Sequence, residues 1–139
     1  MITRTARARY EGTGKAGHGW LSTQSGVLSD ARYGFGTRFE NEPGTNPEEL
    51  IAAAHAGCFT MALSFALAGK GLTEGTLETT AKVTLEQQGE GFRITRSDLV
   101  LTARVPDIAQ EALRALAQDA KANCPVSRLL NAETTLEFG

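Results

Sequence analysis

Hydrophobic and polar positions divide this chain into segments with two periods. From Thr3 to Glu11 they alternate: Ile2, Ala6, Ala8 and Tyr10 lie on one side, Thr3, Thr5, Arg7 and Arg9 on the other. That is the period of a half-buried strand. Gly12, Gly14, Gly17 and Gly19 follow, and His18, Trp20, Leu21 and Thr23 read as the returning strand of a hairpin. Ser25 to Asp30 is a turn, after which Tyr33, Phe35 and Phe39 mark a third short strand with Arg38 at its exit. A polar Pro-Gly loop from Glu40 to Thr45 leads into the longest apolar stretch of the chain.

Between Glu49 and Lys70 lie twenty residues without formal charge, LIAAAHAGCFTMALSFALAG. They predict one core helix, apolar all round. Thr45 and Asn46 supply capping oxygens, Pro47 suits the first helical position, and Glu48 and Glu49 oppose the positive end of the helix dipole. Gly69, Lys70 and Gly71 are the stop signal. The length also matches a bilayer span, but His55, Thr60, Ser64 and two glycines dilute the apolarity and no basic flank sets a topology, so no membrane is expected. Ala52, Ala53, Ala54, Ala56 and Gly57 carry little bulk and allow close helix pairing, including with a second copy.

Beyond the helix, Leu77, Thr79, Ala81, Val83 and Leu85 alternate with polar residues as a clear strand, and Gln88 to Gly91 turns the chain. Phe92 and Ile94 then fall on even positions, whereas Leu99, Leu101, Ala103 and Val105 fall on odd ones. A bulge near Arg96 to Asp98 absorbs the slip. After Pro106, Asp107 can cap a helix with Gln110 three residues later, and Leu113, Leu116, Ala117 and Ala120 repeat at helical spacing to about Asn123. The bond before Pro125 breaks that helix, so Cys124 becomes the N-cap of a short one through Leu130, and Thr134 to Phe138 closes the chain as a strand. The order βββαββαβ is α+β, not doubly wound.

Composition narrows the function. With 139 residues, 41% hydrophobic and 22% charged, one domain over 1–139 is expected. A net charge of -2 gives no field for phosphates, so nucleic acid is not an expected partner. The start MITRTARARY lacks the apolar run of a secretory signal, which points to the cytoplasm. Gly12, Gly14 and Gly17 satisfy G-x-G-x-x-G, but a hairpin follows them rather than a helix, so they serve turns and no dinucleotide site.

The candidate chemistry rests on Cys58 and Cys124, in neither a C-x-x-C nor a zinc-ribbon pattern. In a reducing compartment they are buried thiols, ligands or a redox pair. Cys124 stands where a helix N-terminus lowers a thiol pKa; Cys58 lies on the central helix and can meet it in space. If Cys58 is a nucleophile, a cation must favour its thiolate, and Arg38 is the candidate, with Glu48 or Glu49 as its own partner. Glu48 is ten residues from Cys58, about 15 Å along a straight helix, too far for contact. The plain alternative is a loop arginine and two glutamates matching a helix dipole. His55 and Cys58 share a helix face and also admit a zinc site with His18 and Cys124, or a Cys-His hydrolytic dyad.

TRFE at Thr37 to Glu40, GTNPEELIAAAHAGCFTMALS at Gly44 to Ser64 and NCPVS at Asn123 to Ser127, with QSGVL at Gln24 to Leu28 and YGF at Tyr33 to Phe35, resemble the OsmC/Ohr family of thiol peroxidases, its osmotically inducible protein C branch in particular. The resemblance runs nearly end to end. It implies an OsmC-like fold, an antiparallel-rich sheet packed on a long central helix, in an intertwined homodimer with active sites at the subunit interface. It implies reduction of organic hydroperoxides, and of hydrogen peroxide less efficiently, without metal or flavin. By motif position Cys58 is then the peroxidatic thiol, Cys124 the resolving thiol, Arg38 the thiolate-stabilising arginine and Glu48 its ion-pair partner. A dithiol, such as a lipoyl-bearing protein, is the implied reductant. Met61, Phe59, Phe65 and Phe35 offer apolar surface for an alkyl chain, or simply for the core.

Overall fold

A computed structural model describes residues 1–139 as two compact units, Met1–Leu50 and Ile51–Gly139. In the first, β1 (Ala6–Glu11), β2 (His18–Thr23) and β3 (Ala31–Tyr33) form an antiparallel sheet in that order. β1 pairs along its whole length with β2, from Ala6 opposite Thr23 to Glu11 opposite His18. Gly19 is there for space rather than for phosphate: a Cβ on it would lie 2.5 Å from the Tyr33 ring and 2.9 Å from that of Tyr10. The two rings meet edge to face across it, 6.0 Å apart.

The third strand is shorter than its aromatic spacing predicts. Phe35 to Phe39 form a helical turn, α1 (Phe35–Phe39), and Arg38 lies on it rather than at a strand exit. Positions 35 and 39 differ by four, which fits both a strand face and a helix face. The local hydrogen bonds decide: the Thr37 hydroxyl accepts from the Gly34 N–H at 2.9 Å and donates to the Gly34 carbonyl at 3.2 Å. The Phe35 and Phe39 rings then stack one turn apart, centroids 5.1 Å from each other.

Helix α2 (Pro47–Gly69) starts and stops as the sequence indicates. Asn46 Oδ1 accepts the Glu49 N–H at 2.8 Å, while its amide donates to the Thr37 carbonyl at 2.9 Å and ties α1 to the helix start. At the other end Gly71, at φ +81°, lets the Leu72 N–H reach back to the Leu67 carbonyl and its own N–H to Ala68, a Schellman stop.

The second unit holds the core. Strands β4 (Thr76–Gln88), β5 (Gly91–Arg104) and β6 (Glu133–Phe138) form a sheet in sequence order, β4 antiparallel and β6 parallel to β5. Helix α3 (Gln110–Asn123) and the short α4 (Pro125–Leu129) lie between β5 and β6 in the chain. The strands thus divide into two separate sheets. Buried hydrophobic residues of this unit are Phe59, Leu63 and Leu67 of α2, Leu99 and Leu101 of β5, Leu113, Ala117 and Ala120 of α3, and Cys124.

Three expectations shift in detail. The bulge occurs at Thr95, just before the expected stretch: Thr84 faces Arg96, Leu85 faces Ile94, and Thr95 has no opposite number. The strand thereby changes phase so that Ser97, Leu99 and Leu101 all face the core. Asp107 does not cap α3; it turns the chain at φ +63°, and Ala109 occupies the N-cap. Nor is α2 buried all round. Its buried residues, His55, Phe59, Leu63 and Leu67, recur every fourth position as one stripe, while Met61 and Phe65 are 62% and 72% exposed on the other face. A single sheet and helix cover only one side of a cylinder about 10 Å wide.

Candidate active site

The four residues singled out from the sequence form two pairs. In the first unit, α1 and the first turn of α2 hold Arg38 against Glu48 through two parallel bonds, Nε to Oε1 at 2.8 Å and Nη2 to Oε2 at 3.0 Å. This two-pronged geometry fixes the guanidinium plane as one bond would not. Glu48, not Glu49, is therefore the partner; Glu49 accepts from the Thr45 hydroxyl at 2.9 Å. The guanidinium carbon also lies 5.4 Å from the centre of the Phe39 ring. Arg38 borders a cavity of about 270 Å³ walled by Tyr10, Tyr33, Phe35, Phe39 and Pro47.

In the second unit Cys58 and Cys124 meet, although 66 positions separate them. Cys124 is 1% exposed within the core, Cys58 is partly exposed and packs on that core, and both are free thiols near enough for each to shift the other's pKa. The environments of the two sulfurs differ. Burial pushes the Cys58 thiol up, and the negative charge on its neighbour Cys124 adds to that, against one backbone N–H, of Val126, that favours its thiolate. Burial also raises Cys124, but the Ser127 N–H and hydroxyl, the Cys58 thiol and the Val126 N–H outweigh it and leave Cys124 below its ordinary value. Both Ser127 donors lie 3.5 Å from the sulfur, the cap geometry expected of a residue before Pro125. The surroundings thus favour the thiolate of Cys124 over that of Cys58.

His55 does not serve either alternative reading. It is fully buried at the head of the α2 stripe, its Nδ1 2.6 Å from Ser97 Oγ and its Nε2 2.8 Å from Ser127 Oγ. Burial lowers its pKa, so the ring is neutral. A neutral imidazole has one lone pair, and a serine hydroxyl occupies it; a metal would have to displace that bond. A Cys-His dyad through Cys58 is likewise unmade, because both nitrogens are engaged elsewhere. Among the apolar candidates, Phe59 is 0% exposed and belongs to the core, whereas Phe35 lines the Arg38 cavity. Ser97 and Ser127 are the residues that sequence reasoning missed. The one available signal is a serine on the odd, core-facing positions of β5, where Leu99 and Leu101 follow.

Residues 39–139 match the family model described as OsmC-like protein. The chain is 50% identical over 137 residues to the peroxiredoxin OsmC of Escherichia coli (strain K12), covering 99% of this chain and 96% of that one. It is 29% identical over 141 residues to the organic hydroperoxide resistance protein OhrB of Bacillus subtilis (strain 168), covering 99% of each. The crystal structure of OhrB of Bacillus subtilis superposes with a TM-score of 0.77 at 30% identity, covering 99% of this chain and 98% of that chain. An OsmC-like protein of unknown function from Vibrio cholerae, at 14% identity, covers both chains fully with a TM-score of 0.79, a likeness of fold alone.

Proposed function

The chain belongs to the family of OsmC-like proteins, and on that premise we propose that it is a thiol-dependent peroxidase that reduces organic hydroperoxides, and hydrogen peroxide less efficiently. The observation that carries the reading is the pairing of Cys58 with Cys124, two free thiols brought together from distant parts of the sequence. Of the two, only Cys58 is open to a substrate, since Cys124 is 1% exposed. Cys58 is therefore the peroxidatic residue and Cys124 the resolving one.

The cycle begins when the proton on Cys58 passes to Cys124. The Cys58 thiolate attacks the outer oxygen of the hydroperoxide; the O–O bond breaks, the departing alkoxide takes the proton from Cys124 and leaves as alcohol, and Cys58 becomes a sulfenic acid. Cys124, again a thiolate, attacks that sulfur, the S–O bond breaks, and hydroxide leaves to take a solvent proton. A disulfide remains. A dithiol reductant, lipoyl-bearing proteins being the expected class, reopens it by two successive exchanges.

Arg38, clamped by Glu48, is assigned to stabilise the Cys58 thiolate and orient the peroxide, in its own subunit or across a homodimer. The aromatic cavity beside Arg38 supports an alkyl or aryl hydroperoxide as substrate. The exposed face of α2, with Met61, Phe65 and the small Ala53, Ala54 and Gly57, supports homodimer formation. We assign the whole chain, 1–139, to one functional domain acting in the cytoplasm in oxidative and osmotic stress defence.

The test mixes fully reduced protein with cumene hydroperoxide and counts free thiols by mass. Two thiols should disappear per peroxide consumed. Cys58→Ser should abolish turnover, and Cys124→Ser should trap a sulfenic acid on Cys58. Unchanged turnover in Cys58→Ser would end the proposal.

A further inference from the structure

Cys124 is not served by Ser127 alone. Ser127 Oγ also lies 2.8 Å from His55 Nε2, and His55 Nδ1 lies 2.6 Å from Ser97 Oγ, so four side chains from β5, α2, α4 and the residue before α4 form one line, buried except at the half-buried Ser127: Ser97, His55, Ser127, Cys124. Each serine has one hydroxyl proton and the neutral imidazole one N–H, so two arrangements run in a single direction along the whole line.

In the first, Ser97 donates to Nδ1, Nε2–H donates to Ser127, and the Ser127 hydroxyl donates to the Cys124 sulfur. In the second, every bond is reversed: the Cys124 thiol donates to Ser127, Ser127 donates to Nε2, and Nδ1–H donates to Ser97. The second leaves the Ser97 hydroxyl proton without an acceptor, because Ser97 is 1% exposed and its side chain bonds to His55 alone. An unsatisfied buried donor is costly. The first arrangement satisfies every group.

We propose that His55, held by Ser97 as the Nε2–H tautomer, is a positioning residue that turns the Ser127 hydroxyl towards Cys124 and so presents a hydrogen-bond donor to that sulfur whenever it is anionic. The inference rests on the resolving role given to Cys124 above. The line then acts twice in the cycle. It readies Cys124 to attack the Cys58 sulfenic acid, forming the S–S bond as hydroxide leaves. In the reverse half it favours Cys124 as the leaving group, so that the dithiol forms its mixed disulfide with Cys58 and the Ser127 hydroxyl bonds the released sulfur. The titratable groups beside Cys124 are Cys58 and, one hydroxyl away, His55.

The experiment needs no peroxide, so it stands or falls apart from the peroxidase reading. The Cys124 Cβ carbon is followed by NMR against pH in the Cys58→Ser protein, alone and with Ser127→Ala, Ser97→Ala or His55→Asn added. Ser127→Ala should raise the midpoint by about one pH unit, the worth of one hydrogen bond to a charged group. Ser97→Ala should also raise it, although Ser97 does not touch the sulfur; a merely structural role would leave it in place. Nitrogen shifts of the unsubstituted protein should show the His55 proton on Nε2. A proton on Nδ1, or a Cys124 midpoint unmoved by Ser97→Ala in a folded protein, would overturn the proposal, and neither result depends on His55→Asn folding.

Discussion

The register of β5 against β6 sets which way Ser97 points, and a charged cluster on the outer face of these strands secures it. Asp98 takes two bonds from Arg96, at 2.8 and 2.9 Å, and one from the Thr135 hydroxyl opposite it on β6. Arg96 also reaches Glu133 of β6 at 3.4 Å. The Arg96 and Thr135 hydrogen bonds hold the Asp98 carboxyl at about 2, against an ordinary 3.8. The difference, 3.8 less about 2, is about 1.8 pH units, an upper bound of roughly 2.4 kcal/mol at 1.36 kcal/mol per unit. Because the cluster faces solvent, screening reduces this to about 1 kcal/mol. A carboxyl whose pKa falls on folding stabilises the protein above its unfolded value and loses that contribution as the pH drops through the folded one. The stabilisation should therefore be intact above pH about 4 and disappear between about 4 and 2. Urea unfolding of the wild type and of Asp98→Asn, followed by circular dichroism, measures it: the variant should be about 1 kcal/mol less stable at neutral pH, with the gap closing towards pH 2. A gap that persists unchanged at pH 2 would show that the carboxylate charge is not what holds β6.

Other substitutions probe different parts of the structure. Arg38→Met leaves the Glu48 carboxylate, only 11% exposed, without its partner; thermal unfolding should show a loss of about 1–3 kcal/mol, and turnover of cumene hydroperoxide should fall about 100-fold if the guanidinium stabilises charge in the transition state. Thr95→Val removes the one buried side-chain oxygen that has no hydrogen-bond partner, so chemical denaturation should show stability unchanged or raised by up to about 1 kcal/mol. Leu63→Ala, in the centre of the α2 stripe and 0% exposed, should cost about 2–5 kcal/mol in the same assay. Gly19→Ala should lower the melting temperature, because the new methyl group displaces the Tyr10 and Tyr33 rings.

Elements whose side chains obey one period were legible from the sequence, and those satisfying two were not. Asn46, Pro47 and Gly71 mark the ends of α2 by chemistry that holds in any fold, and both ends stand where they indicate. Phe35 and Phe39 fit strand and helix alike, and only the Thr37 hydroxyl bonds to Gly34 separate the two. Asp107 looks like an N-cap because Gln110 follows, but its left-handed backbone belongs to the preceding turn. The exposed side of α2 was hidden from sequence for another reason: an apolar residue is equally apolar whether its own chain covers it or not. Cys58 and Cys124 stand out by rarity, Arg38 by the need of a thiolate for a cation, and Glu48 over Glu49 only by the family resemblance. Ser97 and Ser127 have no such mark, since serine is common and its role here comes entirely from the ring between them.

The two thiols divide acidity and access between them. The partly exposed one, Cys58, is the one whose thiolate its surroundings disfavour; the one supplied with donors, Cys124, is sealed in the core. A thiol acidic and exposed at once would sit as a free thiolate, open to every oxidant and alkylating agent. In this arrangement the surroundings hold the proton on Cys58 more firmly than on Cys124, and the proposed cycle needs only a transfer between neighbouring sulfurs for attack to begin. In the proposed cycle, lowering the Cys124 pKa further would speed departure of that sulfur during reduction, but it would also weaken Cys124 as the base that frees Cys58. The peroxide-reducing and disulfide-reducing halves of the cycle thus place opposite demands on one sulfur. Both demands act through the hydrogen bonds that Ser127 donates, which makes the Ser97–His55–Ser127 line the place where the balance between the two half-reactions can be altered without touching either thiol.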